Sequence, residues 1–541
     1  MQINLDKISF SRAGSYFVFS KGEEGICLRH ISGGDEEFGE VFQLIPQNDE
    51  YDLICDGFEL DIKNDNSLCR VCFDEINSIR IKGTGLPLKL KFITKGYDYI
   101  VKRNGYYEFN ASSKGIVIKI KIICGRETLK QNWTGLNCKF PELTIYPQDY
   151  FEIKIWEGNC NLNNIEEFDS AVNNTKKEYK SFISDIKYGK YERGGEIASY
   201  ILWNNIVSQR GFLKYDAIYM SKNYMTNIWS WDNCFNTIYL IDKHYDLALN
   251  QIRIFFELQS EDGHIPDFAN DRFYCSNFCK PPILGYILNK LMEKNKIKYD
   301  DIREFYIPLK KWTLWWMNNR DDDKDLIYQY NHGNESGWDN STIFKKDVPI
   351  EAPDLNAYIA VQCEFLYKMA DLLGKQQEAD FWYKMYKKIF AETINMWADN
   401  KFYALDENHN KVITDSLQLL LPVVLGNRLP KNILNAIVDN INKNFITNFG
   451  VATESLKSKD FNEDGYWRGA VWAPIVYLIA EALNETGYFD LSNKIKLSFL
   501  NMVNESYMEE NFSPITGKGQ RDSAFAWTSS IFLLFAEEFD A

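Results

Sequence analysis

Trp338 and Asp339 are neighbours in NESGWDNS, Asn334 to Ser341, and Glu510 lies two residues before Phe512 in EENFSPITGKG, Glu509 to Gly519. An aromatic ring beside a carboxyl shields it from water. That raises its pKa toward neutrality and suits it to give or take a proton near neutral pH. Two such groups on separate loops match the needs of acetal hydrolysis, in which one acid protonates the leaving oxygen and one carboxylate attacks carbon or activates water. Each also has a plainer reading: Asp339 as the cap of a turn, Glu510 as part of a solvated helix end. The choice rests on the other loops around them.

Those loops are unusual as a set. IWSWDNCF (Ile228 to Phe235), DGHIPDF (Asp262 to Phe268), KPP (Lys280 to Pro282) and GYWRGAVW (Gly465 to Trp472) each join an aromatic or a rigid Pro/Gly turn to a carboxylate or a cation. A sugar asks for this mixture, because its C–H face stacks on a ring while its hydroxyls take charged hydrogen-bond partners.

The elements that must hold these loops fall into two periods. Residues 1–165 alternate as strands do. In IVIKIKIIC, Ile118, Ile120 and Ile122 oppose Val117, Lys119 and Lys121, and Asn104-Gly105 offers a two-residue hairpin turn. With ELTIYP and YFEIKIWEG this reads as an antiparallel β-sandwich. The charged stretch NLNNIEEFDSAVNNTKKEYKSFISDIKY gives a linker helix over 166–190. Residues 191–541 then follow a helical period, as in PDLNAYIAVQCEFLYKMADLLG, where Leu355, Ile359, Leu366, Met369 and Leu373 share a face between Pro353 and Gly374. Roughly twelve such segments, many in short-turn pairs, suggest six hairpins closed into a toroid whose loops converge on one mouth. The expected fold class is therefore mainly α and multidomain: an N-terminal antiparallel β-sandwich, then an (α/α)6 barrel.

Composition supports a globular chain of this size and excludes some partners. Hydrophobic residues are 45% of the 541, and aromatics 15%, so core material is not limiting. The net charge of −15, with no basic patch, argues against a nucleic-acid partner. No apolar run approaches the roughly 18 residues of a membrane span, and MQINLDKISFSRAG lacks the basic and apolar regions of a secretion signal. The expected location is cytoplasmic, without membrane or nucleic acid. Eleven cysteines, an odd number, fit reduced thiols. Cys69 and Cys72 form a lone CxxC without a second pair or nearby His, and Cys275 and Cys279 are expected on or beside one helix.

Taken in order, WDN, GHIPD, KPP, ESGWDNS, DLNAY, YWRGxxW, ENFSPITGKG and FAWTS resemble glycoside hydrolase family 63 and its relatives the family 37 trehalases, over about residues 190–540. The resemblance implies an (α/α)6 barrel that inverts the anomeric configuration with an acid and a water-activating base. Carried over by motif, Asp339 is the general acid and Glu510, rather than Glu509, the base. Trp231 and Asp232 hold the terminal sugar, Trp467 and Arg468 line the pocket, and Trp338 stands beside the acid. Asp267 and Lys280 complete the substrate-binding set.

The departures bear on the substrate. Trehalases carry glutamine before the two prolines and a long glycine-rich lid, where this chain has Lys280 and the short turn TGKGQRD. Lys518 replaces a glutamate found in many relatives. Trehalose is thus disfavoured, and two cations near the mouth suit a substrate bearing a carboxylate or phosphate.

The expected function is an exo-acting inverting α-glycosidase, an α-glucosidase on a short oligosaccharide or small glucoside. The alternatives are an α-mannosidase or glycosylglycerate-type hydrolase acting on an acidic glycoside, an inverting sugar phosphorylase, and an inactive carbohydrate-binding protein. No cofactor is called for. Asp321, Asp323 and Asp325 in NRDDDKDL have the spacing that opens a calcium loop, but position six is not Gly and position twelve is His332 rather than Glu, so a solvated acidic turn is the expected reading. Calcium remains an alternative, since some barrel relatives bind it.

Overall fold

A computed structural model describes residues 1–22, 25–35, 38–46, 51–160, 162 and 165–540. Asn161, Asn163 and Asn164, at the start of the expected linker stretch, lie outside them.

Between Phe17 and Glu157, fourteen strands form two antiparallel sheets among the described residues, one of six strands and one of eight. In the eight-stranded sheet Ile116–Cys124 pairs with both Tyr107–Ala111 and Phe151–Glu157. Ile118 and Ile120 are fully buried, as the alternation requires. Gly105, at φ +89°, turns the hairpin between Tyr99–Lys102 and Tyr107–Ala111.

Phe151–Glu157 departs from simple alternation, because both of its faces are buried. Lys154 is buried against Asp74 at 2.5 Å, and Glu152 pairs with Arg80. The reason is the linker helix. α1 (Phe168–Phe182) covers that sheet through Phe168, Ala171 and Val172, and Arg80 donates to the Glu166 carbonyl.

Beyond it come α2 (Glu192–Asn204), α3 (Asp232–Leu240), α4 (Tyr245–Glu257), α5 (Leu284–Glu293), α6 (Tyr299–Asn319), α7 (Pro353–Leu372) and α8 (Gln376–Asn395). A 3-10 segment, Leu417–Arg428, follows, then α9 (Lys431–Asn444), α10 (Ala473–Glu485), α11 (Phe489–Val503) and α12 (Ala526–Glu538). Contacts run from α3 to α5, α7, the 3-10 segment, α10, α12 and back to α3, which closes an inner ring of six. The other six helices from α2 onward alternate with these along the chain and pack outside, as α2 does on α12 and α8 on α7. This is the (α/α)6 barrel.

Burial follows the ring. α10 and α12 are enclosed over most of their length, whereas outer α9 buries only one stripe, Ile433, Leu434, Ile437, Val438 and Ile441. One inner position is not α-helical. Pro422 lacks an N–H and Gly426 adopts φ +58°, so LQLLLPVVLG runs as 3-10 turns despite its apolar character. Cys275 and Cys279 fall in the extended segment before α5 rather than on a helix, and all eleven cysteines are unpaired.

The alternation of inner and outer elements has a consequence for the site. The inner segments all run in one direction, and the motif loops immediately precede them: Trp231 before α3, Lys280–Pro282 before α5, Trp472 before α10 and Phe525 before α12. The positive ends of several helix dipoles therefore face the same mouth. No helix among the described residues is long and apolar enough to cross a membrane.

The sandwich is tied to the barrel loops by buried polar groups. Arg210 makes a two-pronged contact with Glu157 at 2.8 and 2.9 Å, and His30 reaches the same carboxylate at 3.1 Å. Lys222, buried in the barrel, donates to Ser11 Oγ and to the carbonyls of Arg12 and Ser15.

Candidate active site

Asp339 lies on the excursion between α6 and α7, flanked by two short 3-10 turns, Gly333–Ser336 and Thr342–Phe344. The first turn ends at Gly337, φ +71°, where a Cβ would lie 2.6 Å from the Trp231 ring. Glycine therefore sets both the backbone turn and the approach of Trp338–Asp339 to α3. Glu335, the other carboxylate of the motif, is structural: it is buried and bidentate with Arg320 and accepts from Asn331 N.

The Asp339 side chain is 39% exposed and 3.9 Å from Lys280 Nζ. Lys280 is buried and donates to Asn334 Oδ1 at 2.6 Å and to the Asn334 carbonyl at 3.0 Å, with Asp267 Oδ1 at 3.5 Å. The sequence reading put this lysine at the rim as a free cation. The fold instead places it among Asp232, Asp267 and Asp339, where their charges outweigh burial and push its pKa up. Lys518 is exposed, on the turn between Asn511–Phe512 and Gly519–Gln520.

Asn334 also donates to Asp267 Oδ2 at 2.7 Å, which joins the GHIPD and NESGWD loops. Burial is the largest influence on Asp232 and raises its pKa to about 8; Lys280 pulls it down and Asp267 pushes it up. Asp232 Oδ2, Asp267 Oδ1 and Asp339 Oδ1 are all enclosed without a hydrogen-bond partner. Three orphaned acceptors around one ammonium can accept hydrogen bonds from hydroxyl groups.

Glu510 is 6% exposed. Burial raises its pKa to about 7 against the pull of the Tyr466 hydroxyl, which donates to Oε1 at 3.1 Å; Asp522 and Asp339 push it further up. Burial, then Glu510, Asp339 and Asp232, raise the Tyr466 phenol, so it remains a donor within electrostatic reach of all three carboxylates. Glu509 faces elsewhere: its Oε2 accepts from Tyr507 N, Lys7 lies 3.8 Å from Oε1, and a Cβ on Gly519 would collide with its carboxyl.

Asp339 and Glu510 line different cavities. One, of about 490 Å³, is bordered by Asp339, Asn340, Lys345, Lys346 and Arg468. The other, of about 570 Å³, is bordered by Glu510, Asp522 and Tyr224 and, from the sandwich, Lys7, Arg29 and Phe38. Consecutive residues connect them. Tyr466 holds Glu510, Trp467 packs on Trp338 at 5.0 Å, and Arg468 lines the Asp339 side. Asn340 fixes this joint by accepting from Trp467 N and donating to the Gly465 carbonyl.

The indoles are packed against one another. Trp467 stacks face to face on Trp472 at 3.9 Å, and Trp231 lies 6.3 Å from Trp467 and 6.4 Å from Trp527. Trp231, Trp338 and Trp467 are at most 2% exposed, so they form a rigid wall with little open face. The fold thus links Trp231, Asp232, Asp267, Lys280, Trp338, Asp339, Trp467, Arg468 and Glu510. Tyr466, Asn334 and Asp522 were missed by sequence reasoning. Tyr466 sits inside the YWRG motif, but its φ of +63°, which aims the phenol at Glu510, has no sequence signal of its own.

A model of the mannosylglycerate hydrolase MGH1-like glycoside hydrolase domain matches residues 225–528, more than half of the chain. A mannosylglycerate hydrolase of Rubrobacter radiotolerans is 21% identical over 399 residues, covering 56% of this chain and 89% of that protein. The crystal structure of the GH63 mannosylglycerate hydrolase from Thermus thermophilus in complex with glucose superposes with a TM-score of 0.56 at 18% identity, over 62% of this chain and 98% of that one. The neutral trehalase Nth1 of Saccharomyces cerevisiae does so with a TM-score of 0.52 at 14% identity, over 60% and 74%. The chain belongs to the mannosylglycerate hydrolase MGH1-like glycoside hydrolase domain family, within glycoside hydrolase family 63.

Proposed function

We propose that this glycoside hydrolase is an exo-acting, inverting α-glycosidase whose substrate is an α-glycoside of a small acid, with mannosyl or glucosyl as the released sugar. The observation that carries this reading is the guanidinium of Arg468. Its Nε is enclosed without a hydrogen-bond partner, and it lines the same cavity as Asp339, together with Lys346, Asp347 and the ion pair of Lys345 with Asp460. An enclosed guanidinium N–H left without an acceptor, beside the group that protonates the leaving oxygen, fits a carboxylate on the leaving group. The names of the relatives point the same way.

In this reading Asp339 gives its proton to the glycosidic oxygen. Glu510, steadied by Tyr466, takes a proton from the water that attacks the anomeric carbon on the opposite face, and the product leaves with inverted configuration. Asp232, Asp267 and Lys280 bind hydroxyls of the terminal sugar against the Trp231, Trp338 and Trp467 wall.

The second reading is an α-glucosidase acting on a neutral oligosaccharide, favoured by the glucose held in the Thermus structure. A substrate panel separates the two. The acidic-aglycone reading expects α-mannosyl- or α-glucosylglycerate to exceed the matching neutral glycoside at least tenfold in kcat/KM, with the preference lost in Arg468→Ala. Equal rates on acidic and neutral aglycones would overturn it. Dependence of cleavage on inorganic phosphate would instead indicate a phosphorylase. The unpaired cysteines accord with action in a reducing compartment, the cytoplasm.

A further inference from the structure

Strand Ile26–His30 of the sandwich runs into loop 32–35, Ser32-Gly33-Gly34-Asp35, which reaches across to the barrel. There it meets Asn227, Asn270 and Asp271. These residues lie at one end of a two-stranded ribbon in which Ile228 pairs with Ala269 and Trp229 with Phe268. The other end of the ribbon leads to two carboxylates assigned above to sugar hydroxyls. Ser230 N donates to the Asp267 carbonyl at 2.9 Å, and Trp231 and Asp232 follow directly.

The loop end of the ribbon is clamped by buried groups. The Asp271 carboxylate, whose side chain is 1% exposed, accepts from Ser32 Oγ at 2.5 Å and Gly33 N at 2.8 Å, with Arg210 Nε at 3.4 Å. Asp35 Oδ1 accepts from Asn227 Nδ2 at 2.7 Å, and Asn227 Oδ1 accepts from Asn270 Nδ2 at 2.9 Å. One pair of carboxamides therefore ties the two strands to each other and to the sandwich. Gly34 adopts φ +84°, and a Cβ there would collide with Asn227 Oδ1 and lie 2.5 Å from Asn270 Nδ2. Glycine is what lets the loop backbone come this close.

The carboxylate end depends on this support. Asp232 Oδ2 and Asp267 Oδ1 have no hydrogen-bond partner of their own, so the backbone beneath them sets their aim. A strand rises about 3.3 Å per residue, which puts Asn227 only about 10 Å from Ser230. Trp229 N donates to Asn233 Oδ1 at 3.2 Å, which couples the ribbon to the first turn of α3. A shift of the loop is thereby carried to both carboxylates.

We propose that loop 32–35 and Asp271 are positioning elements for recognition of the released sugar: by clamping Asn227 and Asn270, the sandwich aims Asp232 and Asp267 at the sugar hydroxyls. The inference rests on the reading of those two carboxylates as hydroxyl acceptors. It gives the sandwich a part in specificity from outside the matched stretch 225–528. The clamp acts through Asp232 and Asp267, not on the reacting atoms.

The test titrates the full-length protein with mannose and with glucose, followed by tryptophan fluorescence, and measures kcat and KM on whichever α-glycoside the substrate panel shows to be cleaved. Gly34→Ala and Ser32→Ala are each expected to weaken sugar binding about tenfold and to raise KM by a similar factor, with kcat within about twofold of wild type. Ser32→Thr, which keeps the hydroxyl donor, should bind as wild type does. Arg12→Ala, which removes the sandwich's pair with Glu178 on α1, should leave sugar affinity and KM unchanged. Wild-type affinity in both Gly34→Ala and Ser32→Ala would overturn the clamp. So would an equal loss in Arg12→Ala, which would mark a general loosening of the sandwich. Asp232→Asn separates this inference from the reading beneath it. If Asp232→Asn weakens sugar binding while the loop variants do not, only the clamp is wrong; if Asp232→Asn binds sugar as wild type does, the hydroxyl-acceptor reading falls and the clamp falls with it.

Discussion

At the scale of single residues, the account turns on how burial and neighbours divide labour among carboxylates. Asp339 is half open beside Lys280, whereas Glu510 is enclosed and braced by a phenol. Asp339→Asn is expected to lower kcat by about 10²–10⁴-fold on glycosides with poor leaving groups, and far less on activated aryl glycosides, which need little protonation. Equal, mild losses on both classes would remove the acid role. Glu510→Gln should be as severe on all substrates and partly rescued by azide, while Glu509→Gln, whose carboxyl only braces Tyr507 N, should be nearly neutral. Since the base works ionised, kcat/KM is expected to rise with pH through about 7, where burial has placed Glu510. The same shift carries a stability consequence of opposite sign. With its folded pKa above the ordinary 4.5, Glu510 favours the fold only while protonated, and that advantage is lost as pH rises through 7. Glu510→Gln should therefore stabilise the protein by roughly 2 kcal/mol at pH 8 and by almost nothing at pH 4, as thermal melts at the two pH values would show.

At the scale of elements, much of the site was legible because the motifs sit where inner helices begin. The WDN, KPP, YWRGxxW and FAWTS runs each precede an inner segment, and the pairing of Pro353 with a long apolar period gave α7 correctly. What escaped was set by contacts between distant stretches. The burial of Lys280 depends on Asn334 and Asp267, and no local pattern announces that three loops will meet around one ammonium. The 3-10 character of Leu417–Arg428 was likewise hidden, since a continuous apolar run reads as an ordinary buried helix. Gly337 links element to residue. Gly337→Ala would press a methyl against the Trp231 ring at a left-handed φ, and about 2 kcal/mol of destabilisation is expected, with a fall in kcat from displacement of Asp339. Unchanged melting and kinetics would mean that the Trp231 contact does not position the acid.

At the scale of the whole molecule, the sandwich borders the candidate site. Its Lys7, Arg29 and Phe38 help wall the cavity that reaches Glu510, although these residues lie outside the matched stretch 225–528. The sequence distinguished the two halves by their change of period, but not the joint between them. That joint is made by isolated polar residues such as Arg210 and Glu157, whose types are unremarkable in a chain with 61 basic and 76 acidic residues. Burial acts to raise the Glu157 carboxyl, yet hydrogen bonds from His30 and Arg210 overcome it and bring its pKa to about 2. Its contribution is therefore full at neutral pH and is lost as pH falls from about 4.5 toward 2. Arg210→Ala is expected to cost about 2 kcal/mol at pH 7, read by denaturant unfolding, because it removes two of the hydrogen bonds to a largely buried carboxylate and leaves it only His30.

The most direct measurement is a proton NMR time course of the sugar released from an α-linked glycoside such as α-mannosylglycerate, recorded before mutarotation erases the record. A general acid at Asp339 and a water-activating base at Glu510 require the β-anomer to appear first. Initial release of the α-anomer would contradict the arrangement, because it would demand a covalent intermediate on a carboxylate assigned here to water.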